Sequence, residues 1–232
     1  MVVTGASGAL GGAVVAALLE AGAECHLPQV EPEVRDARPR VHVTPAVDLT
    51  HEGAVQRYYA ALPPLWASVH LAGGFCFGPI TGTALADLQA QLDINLVTAF
   101  LCCREAVRHL RAGGRVRVAG GSGGAGAAGG RIVNVSSRAA AAPAAGVAAY
   151  AAAKAAVSAL TQALAVEVAD DGILVNAVAP SIIDTPANRA AMPDADHARW
   201  PAPAEIARTI VWLASPENTL TSGAIVPVYG RA

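Results

Sequence analysis

Two kinds of apolar segment alternate along the chain. Short uninterrupted runs, such as residues 173–178, are typical of strands buried on both faces of a parallel sheet. Longer segments, such as residues 150–168, place apolar residues every three or four positions and predict helices with one buried face. The alternation predicts an α/β fold in which helical crossovers join the strands.

The predicted elements fill most of the chain. Strands are predicted at residues 1–4, 23–27, 41–47, 65–72, 132–136, 173–178 and 224–228. Helices are predicted at residues 12–21, 52–62, 85–110, 150–168 and 205–214. In the third helix, apolar residues at positions 85, 88, 92, 96, 99, 103, 107 and 110 predict a buried stripe. Together the elements predict one domain over residues 1–232, a Rossmann-type doubly wound parallel sheet of about seven strands with helices on both faces.

One segment does not fit this plan. Residues 112–130 are rich in glycine and alanine, and GGRVRVAGG near the start resembles GGRIVNVSS after it, as a tandem duplication would. The composition predicts a flexible surface insertion with Arg115 and Arg117 exposed. A phosphate-binding glycine loop is the alternative interpretation, but no strand–loop–helix context surrounds it.

Composition and charge narrow the classes of function. Apolar residues make up 53% of the chain and charged residues 15%, which excludes disorder for most of it. A net charge of -2 gives no reason to expect nucleic acid or an anionic membrane as a partner. The start of the chain lacks the pattern of a secretory signal, so we expect a cytoplasmic protein. Cys25, Cys76, Cys102 and Cys103 lack metal-site spacing, so we expect small buried hydrophobes and no metal.

A glycine-rich loop follows the first predicted strand and opens the first predicted helix. Residues 4–11 read TGASGALG, and glycines here permit a tight turn and a close approach of the backbone to a pyrophosphate. The amides at the helix N-terminus then favour an anion. A plain turn is the alternative, but the position at the start of a βαβ unit favours a dinucleotide. Asp48 follows the third strand and is either an acceptor for the adenine amino group or a helix cap or turn aspartate.

Three residues of the second half, together with Asn95, predict proton-transfer chemistry. Tyr150 and Lys154 lie four positions apart on a helix, so their side chains share one face, and a nearby ammonium lowers the pKa of a phenol. Ser137 follows a strand and can hold a substrate oxygen. Asn95 is an amide among apolar helix residues, a position that requires a specific partner. Singly, a surface pair or a turn cap explains each of them, but their combination with the glycine loop predicts a catalytic site.

These residues resemble the short-chain dehydrogenase/reductase family along residues 1–230. Ser137 stands thirteen residues before the Tyr150–Lys154 pair, as in the family, and Asn95 matches the family's helix asparagine. The resemblance implies that Tyr150 donates the proton, Ser137 polarises the carbonyl, and Lys154 binds the nicotinamide ribose and tunes the tyrosine. Asn95 would hold a water in the proton relay. The implied reaction is hydride transfer between NAD or NADP and a carbonyl or alcohol substrate.

The resemblance also implies a set of cofactor contacts. Residues 176–180 resemble the segment that leads to the nicotinamide, and Thr185 resembles the threonine that bonds its carboxamide. The expected cofactor-binding residues are Gly5, Ser7, Gly8, Ala9, Leu10, Gly11, Asp48, Leu49, Ala72, Gly73, Gly74, Tyr150, Lys154, Pro180, Ile183 and Thr185. The choice between NAD and NADP stays open, because the second strand ends in Leu27-Pro28-Gln29 without an acid. Arg35, Arg38 and Arg40 are candidates for a 2′-phosphate.

Three departures from the family pattern leave alternatives open. Gly8 and Ala9 break the usual glycine spacing, and residues 70–73 read HLAG where the family has NNAG. These two resemble the dihydropteridine reductase branch, although that branch lacks the serine at 137. Ser181 replaces the glycine after Pro180. Pterin reduction is therefore one alternative, and a catalytically silent dinucleotide-binding sensor is another.

Two further expectations concern surfaces. Residues 182–203 are expected to form a substrate lid, in which Met192 and Trp200 either line the pocket or pack the lid down. The helices at 85–110 and 150–168 carry more apolar residues than one sheet face can cover, so we expect a homodimer or homotetramer through them.

Overall fold

The computed structural model describes residues 1–33, 36–113, 116–117 and 127–232. Its strands are β1 (Val2–Thr4), β2 (Cys25–Pro28), β3 (Val41–Thr44), β4 (Ala67–His70), β5 (Val116–Arg117), β6 (Ala127–Ala128), β7 (Gly130–Val135), β8 (Ile173–Pro180) and β9 (Ile225–Val228). Within the described residues, seven strands form a parallel sheet in the order β3-β2-β1-β4-β7-β8-β9. This order confirms the predicted doubly wound sheet.

The predicted insertion lies mostly outside the described residues. Where it is described, β5 and β6 pair antiparallel as a separate two-stranded sheet. Arg115 also lies outside the described residues, so its predicted exposure stays a prediction.

Helices cover both faces of the sheet. They are α1 (Ala9–Glu20), α2 (Glu52–Ala60), α3 (Leu85–Leu92), α4 (Thr98–Gly113), α5 (Ala148–Glu167), α6 (Pro186–Ala191) and α7 (Pro203–Ala214). One core cluster joins α1 and α7 to one face, through Val14, Leu18 and Ile210. The other joins α2, α4 and α5 to the opposite face, through residues such as Tyr59 and Leu101. Burial on both faces explains the continuous apolar runs of the central strands.

The predicted helix at 85–110 is interrupted. A π-helical segment, Asp93–Val97, separates α3 from α4, and such segments often mark functional sites. The buried stripe holds in α4, where Cys103 and Val107 are buried, but not at the start of α3, where Leu85 is 79% exposed. The expectation for Leu85 was wrong because α3 packs against α5 and the π-helical segment instead of lying flat on the sheet.

Other boundaries differ by a few residues. The predicted third strand ends at Thr44 instead of residue 47, because Pro45 follows and Ala46 adopts a left-handed φ of 57°. Cys25, Cys102 and Cys103 are buried as expected, but Cys76 is only half-buried.

The helix α5 is long and apolar enough to cross a membrane, by length and composition alone. Its Ala153, Val157 and Ala165 are buried against the sheet. A helix in a protein core can have the same length and apolar composition. The packing of α5 against the sheet therefore explains its apolar content without a membrane.

Candidate active site

The glycine-rich loop lies where the strand order reverses, at the carboxyl ends of β1 and β4. Gly5 has a φ of 64°, and a Cβ atom there would stand 2.7 Å from the Ala72 amide nitrogen. At Gly11 a Cβ atom would overlap the Gly5 carbonyl oxygen. Both positions therefore require glycine, one for its backbone conformation and contact with the loop after β4, the other for close packing of the helix.

The start of α1 is open to the cleft. The helix begins at Ala9, three residues before the predicted start, with Gly8 as its N-cap and no side chain capping it. Ser7, Gly8 and Ala9 are exposed. An uncapped helix N-terminus presents unpaired amides and a partial positive charge, which is the environment that a pyrophosphate needs.

A threonine joins the two loops that flank this cleft. The Thr4 hydroxyl accepts hydrogen bonds from the amides of Leu71 (3.0 Å) and Ala72 (3.1 Å). These bonds fix the loop after β4 against the end of β1. The loop after β4 carries the predicted cofactor contacts Ala72, Gly73 and Gly74, so Thr4 positions them.

The four predicted catalytic residues come from three different elements. Tyr150 and Lys154 lie in the first two turns of α5, which begins at Ala148, two residues before the predicted start. Ser137 precedes a short 3-10 turn, and its hydroxyl accepts a hydrogen bond from the Ala139 amide at 3.1 Å. The Lys154 Nζ atom lies 5.9 Å from the centroid of the Tyr150 ring.

Asn95 completes the group from the π-helical segment. Its Oδ1 accepts from the Gly74 amide at 3.2 Å, and its Nδ2 donates to the carbonyls of Gly74 and Gln91 at 3.0 Å each. A Cβ atom on Gly73 would lie 2.7 Å from Asn95 Oδ1 and 3.2 Å from Lys154 Nζ. Gly73 thus stands between the amide and the ammonium, and only a glycine leaves both side chains in place.

Burial shifts the pKa values of the two titratable groups. Desolvation raises the pKa of Tyr150, and the hydrogen bond with Ser137 acts in the opposite direction. Lys154 is 5% exposed, and desolvation lowers its pKa to about 8. Its Nζ donates to the Val135 carbonyl at 2.9 Å. The prediction that Lys154 lowers the pKa of Tyr150 was wrong for this structure, because burial raises that pKa. The Lys154 ammonium donates its hydrogen bond to the Val135 carbonyl instead.

Two of the predicted cofactor contacts, Asp48 and Leu49, lie in the loop between β3 and α2. The Asp48 carboxylate accepts from the amide and the hydroxyl of Thr50 (2.9 and 2.7 Å) and contacts His51 Nδ1 at 3.0 Å, just before α2. These bonds fit the interpretation of Asp48 as a turn aspartate, not as a helix cap, and they hold its pKa below the usual value. Leu49 packs partly against the core. The adenine contact stays a prediction.

The predicted lid, residues 182–203, contains the helix α6, which was not predicted from the sequence. Thr185 caps α6 by accepting from the Asn188 amide at 3.2 Å. Pro180 ends β8, and Ile183 packs against the core cluster beneath. Trp200 is 8% exposed and its ring lies 4.6 Å from that of His197, so it packs the lid down. Met192 is half-buried.

The arginines expected near a 2′-phosphate are engaged elsewhere. Arg40 donates to the carbonyls of Leu19 (2.8 Å) and Ala23 (3.3 Å), at the far end of α1. Arg38 pairs with Asp36. Arg35 lies outside the described residues. Gln29, which directly follows β2, is buried and its Oε1 has no hydrogen-bond partner within the described residues.

One neighbour of the site was missed from the sequence. The Phe75 ring packs edge-to-face on the Tyr150 ring, with centroids 5.0 Å apart. The signal was present in the run GGFCFG, where two phenylalanines stand in a glycine-rich loop without helical or strand periodicity.

The cradle fits a dinucleotide on structural grounds. Glycines close the turn, the α1 amides face outward, and Lys154 and Asn95 stand behind Gly73 at the other end of the cleft. This arrangement suits an anion at the start of α1 and leaves the Tyr150 hydroxyl as a candidate proton donor.

Comparison with known proteins places this arrangement among related chains. The family model described as short chain dehydrogenase matches residues 1–196. A 3-alpha-(or 20-beta)-hydroxysteroid dehydrogenase of Mycobacterium tuberculosis is 29% identical, covering 87% of this chain and 73% of that protein. A cis-4-hydroxycyclohexanecarboxylate dehydrogenase of Sinomonas cyclohexanicum is 33% identical, covering 99% and 94%. The solved structure of ElxO with NADP bound has a TM-score of 0.84 at 22% identity, covering 99% and 96%, a likeness of fold.

Proposed function

The chain belongs to the short-chain dehydrogenase family, and from this premise we propose that Ser137, Tyr150, Lys154 and Asn95 are its catalytic group. The protein is an NAD(P)-dependent oxidoreductase that interconverts alcohol and carbonyl groups. The observation that supports the assignment is the contact among these side chains: Ser137 hydrogen-bonds Tyr150, Lys154 Nζ lies 5.9 Å from the centroid of the Tyr150 ring, and Lys154 and Asn95 meet at Gly73.

Each residue has a distinct role in this proposal. When bound, the nicotinamide cofactor supplies the hydride for carbonyl reduction. Tyr150 donates its hydroxyl proton to the substrate oxygen, and Ser137 donates a hydrogen bond to the same oxygen as negative charge develops on it. The raised pKa keeps Tyr150 protonated and able to donate at neutral pH. Lys154 binds the nicotinamide ribose, and Asn95 holds a water that returns a proton to the site.

The glycine loop and the lid hold the cofactor in this proposal. The first-turn amides of α1, with Ser7, bind the pyrophosphate. Ala72, Gly73 and Gly74 line the cofactor on one side. Pro180, Ile183 and Thr185 line its nicotinamide end on the other. Either NAD or NADP fits the protein, since the uncharged Gln29 neither repels a 2′-phosphate nor offers a carboxylate to a ribose hydroxyl.

The experiment compares two tyrosine variants during carbonyl reduction. NADH and NADPH oxidation is followed by absorbance with a panel of ketones and aldehydes. Tyr150→Phe is expected to lower kcat/KM by about 10²–10⁴-fold, since a positioned general acid contributes that much. Tyr58→Phe is the matched control, because the Tyr58 hydroxyl is buried and lacks a hydrogen-bond partner within the described residues. Equal turnover by the two variants would refute the role of Tyr150.

Pterin reduction is the second candidate function. The observation that favours it is His70 and its neighbours in place of the family's NNAG motif. A quinonoid dihydropterin tested beside the ketones decides between the two, because a pterin reductase would prefer it by its kcat/KM. A protein that binds NAD(P)H but reduces neither class would be the silent sensor.

We also propose a homodimer or homotetramer in the cytoplasm. Support comes from α4 and α5, which leave Phe100 48% and Val166 80% exposed along a face of small residues. An exposed apolar helix face of this kind is typical of a subunit interface. Light scattering that gives the mass of a monomer would exclude the assembly.

A further inference from the structure

An apolar patch lies beside Tyr150, on the loop between β4 and α3. We name it the loop patch and define it as Phe75, Phe77 and Ile80. These side chains are 63%, 74% and 72% exposed. Large apolar side chains at such exposure on one loop, with Phe75 in contact with a candidate proton donor, indicate a surface that a ligand covers.

The loop patch is fixed to the catalytic group. Phe75 packs on the Tyr150 ring. Phe77 lies against Gly146, where a Cβ atom would stand 2.5 Å from the phenylalanine ring. The Gly78 amide donates to the Gly146 carbonyl at 2.8 Å. The loop after β4 is therefore held against the loop that leads into α5, and the patch is preformed.

Both of these loops lack charge. The chain carries no Lys, Arg, Asp, Glu or His from Leu71 to Ala86, nor from Ala139 to Ala153. The nearest exposed cation in sequence is Arg138, whose guanidinium lies over the Tyr229 ring at 5.4 Å. Arg189 of the lid is paired with Asp184. A carboxylate or phosphate on the substrate would therefore be desolvated against these loops without a counter-charge.

From these observations we infer that the substrates are uncharged carbonyl compounds with an apolar ring or chain, and that Phe77 and Ile80 select them. This inference rests on the proposed function, since it names the substrate class of the same site. The substrate oxygen meets Tyr150 and Ser137, and the apolar body covers the loop patch. Charged substrates, such as acyl groups carried on a phosphate-bearing cofactor, fall outside this class.

The first test uses two series of cyclic ketones. Cyclohexanone and its 4-methyl, 4-ethyl and 4-propyl derivatives are compared by kcat/KM with NADH or NADPH. Each methylene that becomes buried is expected to raise kcat/KM by about 3- to 4-fold. Methyl 4-oxocyclohexanecarboxylate is expected to exceed the free 4-oxocyclohexanecarboxylate by at least ~30-fold, because only the acid buries an unpaired charge.

Two variants test whether the loop patch causes the preference for longer alkyl groups. The double variant Phe77→Ser/Ile80→Ser is expected to reduce the gain per methylene to below ~2-fold, the gain for groups left in water, so that the 4-propyl ketone loses more kcat/KM than cyclohexanone does. Leu220→Ser is the matched control, because Leu220 is 91% exposed and precedes the edge strand β9, whereas the loop patch follows the central strand β4. It should leave the whole series unchanged. NAD(P)H affinity, measured by fluorescence, should match the parent in both variants.

Several outcomes would overturn the inference. A flat alkyl series, or an acid that equals its ester, would contradict an apolar substrate class. If Arg138→Ala lowered activity on the acid specifically, Arg138 would be its counter-charge and the class would be wrong. If the double variant changed the oligomeric mass but not the series, a second copy of the chain would be the occupant. A parent that binds NAD(P)H but reduces no ketone would refute the proposed function itself, a result distinct from all of these.

Discussion

Two sets of polar groups contrast in this fold, one closed by hydrogen bonds among its own side chains and the other keeping donors open to the cleft. The first, which we call the buried network, consists of Tyr59, Ser68, His70, Asn134 and Thr161. The second consists of the catalytic candidates and the amides that begin α1. The difference between the two groups separates residues that hold the structure from residues that act on a ligand.

The hydrogen-bond directions in the buried network are fixed by its end. Thr161 donates to the Val157 carbonyl at 2.8 Å, so it accepts from Asn134 Nδ2 at 2.9 Å. Asn134 Oδ1 then accepts from His70 Nδ1 at 2.8 Å, so Nδ1 carries a proton, and because burial lowers the pKa of His70 the imidazole is neutral.

The network continues from the other nitrogen of the histidine. His70 Nε2 accepts from Ser68 at 2.8 Å, and Ser68 accepts from Tyr59 at 2.8 Å. Every polar side chain of the buried network therefore has a partner inside the protein, and a ligand would gain no hydrogen bond from it.

The cleft group leaves donors without a protein partner. Lys154 donates one hydrogen bond within the described residues, to Val135, although an ammonium has three donors. The α1 N-terminus has no side-chain cap. Such groups cost stability in the free protein and return that free energy when a ligand binds. The comparison separates a network whose groups bind one another from a cleft whose lysine and helix amides keep donors for a ligand. An unpartnered buried atom does not mark a site by itself, since the Tyr58 hydroxyl is one as well within the described residues.

Removing the cleft ammonium tests the difference most strongly. Lys154→Met is expected to lower kcat/KM by at least ~10²-fold, because the proposed ribose contact and the charge beside Tyr150 are lost. The free energy of unfolding should rise by about 1–3 kcal/mol, since burial lowers the pKa of Lys154 to about 8 and the methionine removes that penalty. Chemical denaturation and steady-state kinetics measure the two effects. A Met variant less stable than the parent would show that Lys154 is structural.

A change in the buried network should have the opposite effect. His70→Ala leaves a cavity and strips partners from Ser68 and Asn134, so the free energy of unfolding should fall by about 2–4 kcal/mol. At temperatures where the variant stays folded, kcat/KM should remain within ~3-fold of the parent. His42→Ala is the control, because that imidazole is 54% exposed. Lost activity in a folded His70 variant would place the network in the reaction.

Acid should unfold the protein through His70. Desolvation lowers the pKa of His70 to about 4, below the value near 6.5 of an unfolded chain. The neutral imidazole thus contributes stability that is fully present above pH 6.5 and is lost as the pH falls toward 4, by about 3 kcal/mol for this residue. Denaturation curves at a series of pH values measure it. His70→Asn should flatten that part of the profile, and an unchanged slope would contradict the neutral assignment.

Alkaline pH should act on the cleft instead. Because the pKa of Lys154 is about 8 and that of Tyr150 is raised, the lysine loses its proton first. We expect kcat/KM for reduction to fall about tenfold per pH unit above ~8 as the ammonium disappears. Lys154→Arg keeps the charge and should move this limb upward by at least ~1 unit. An unmoved limb would assign it to another group.

Much of the architecture followed from the sequence because it depends on local patterns. The sheet and its helices were predicted from apolar periodicity, and the strand order confirmed them. The break at Asp93–Val97 was not predicted, because a π-helical turn shifts the apolar spacing by only one residue. The left-handed Ala46 that shortens β3 carries no distinctive sequence signal either.

The residues of the site could be predicted from the sequence, but their pKa values could not. Spacing and resemblance selected Tyr150 and Lys154, and the structure places them in consecutive turns of α5. Their pKa values depend on burial by α5's neighbours and on the Val135 carbonyl that takes the lysine's hydrogen bond. That information lies in tertiary contacts, which a sequence spacing does not contain. The role of His70 was hidden for the same reason, since its partner Asn134 is distant in sequence.

The most direct measurement follows one deuterium. The enzyme is given cofactor deuterated at the transferable position of the nicotinamide together with an uncharged cyclic ketone, and the alcohol is analysed by NMR and mass spectrometry. We predict one deuterium on the carbinol carbon with the parent and with Tyr58→Phe, and at least ~10²-fold slower labelling with Tyr150→Phe. An unlabelled alcohol, or equal labelling by the two phenylalanine variants, would contradict the assignment of Tyr150 as the proton donor in a hydride transfer.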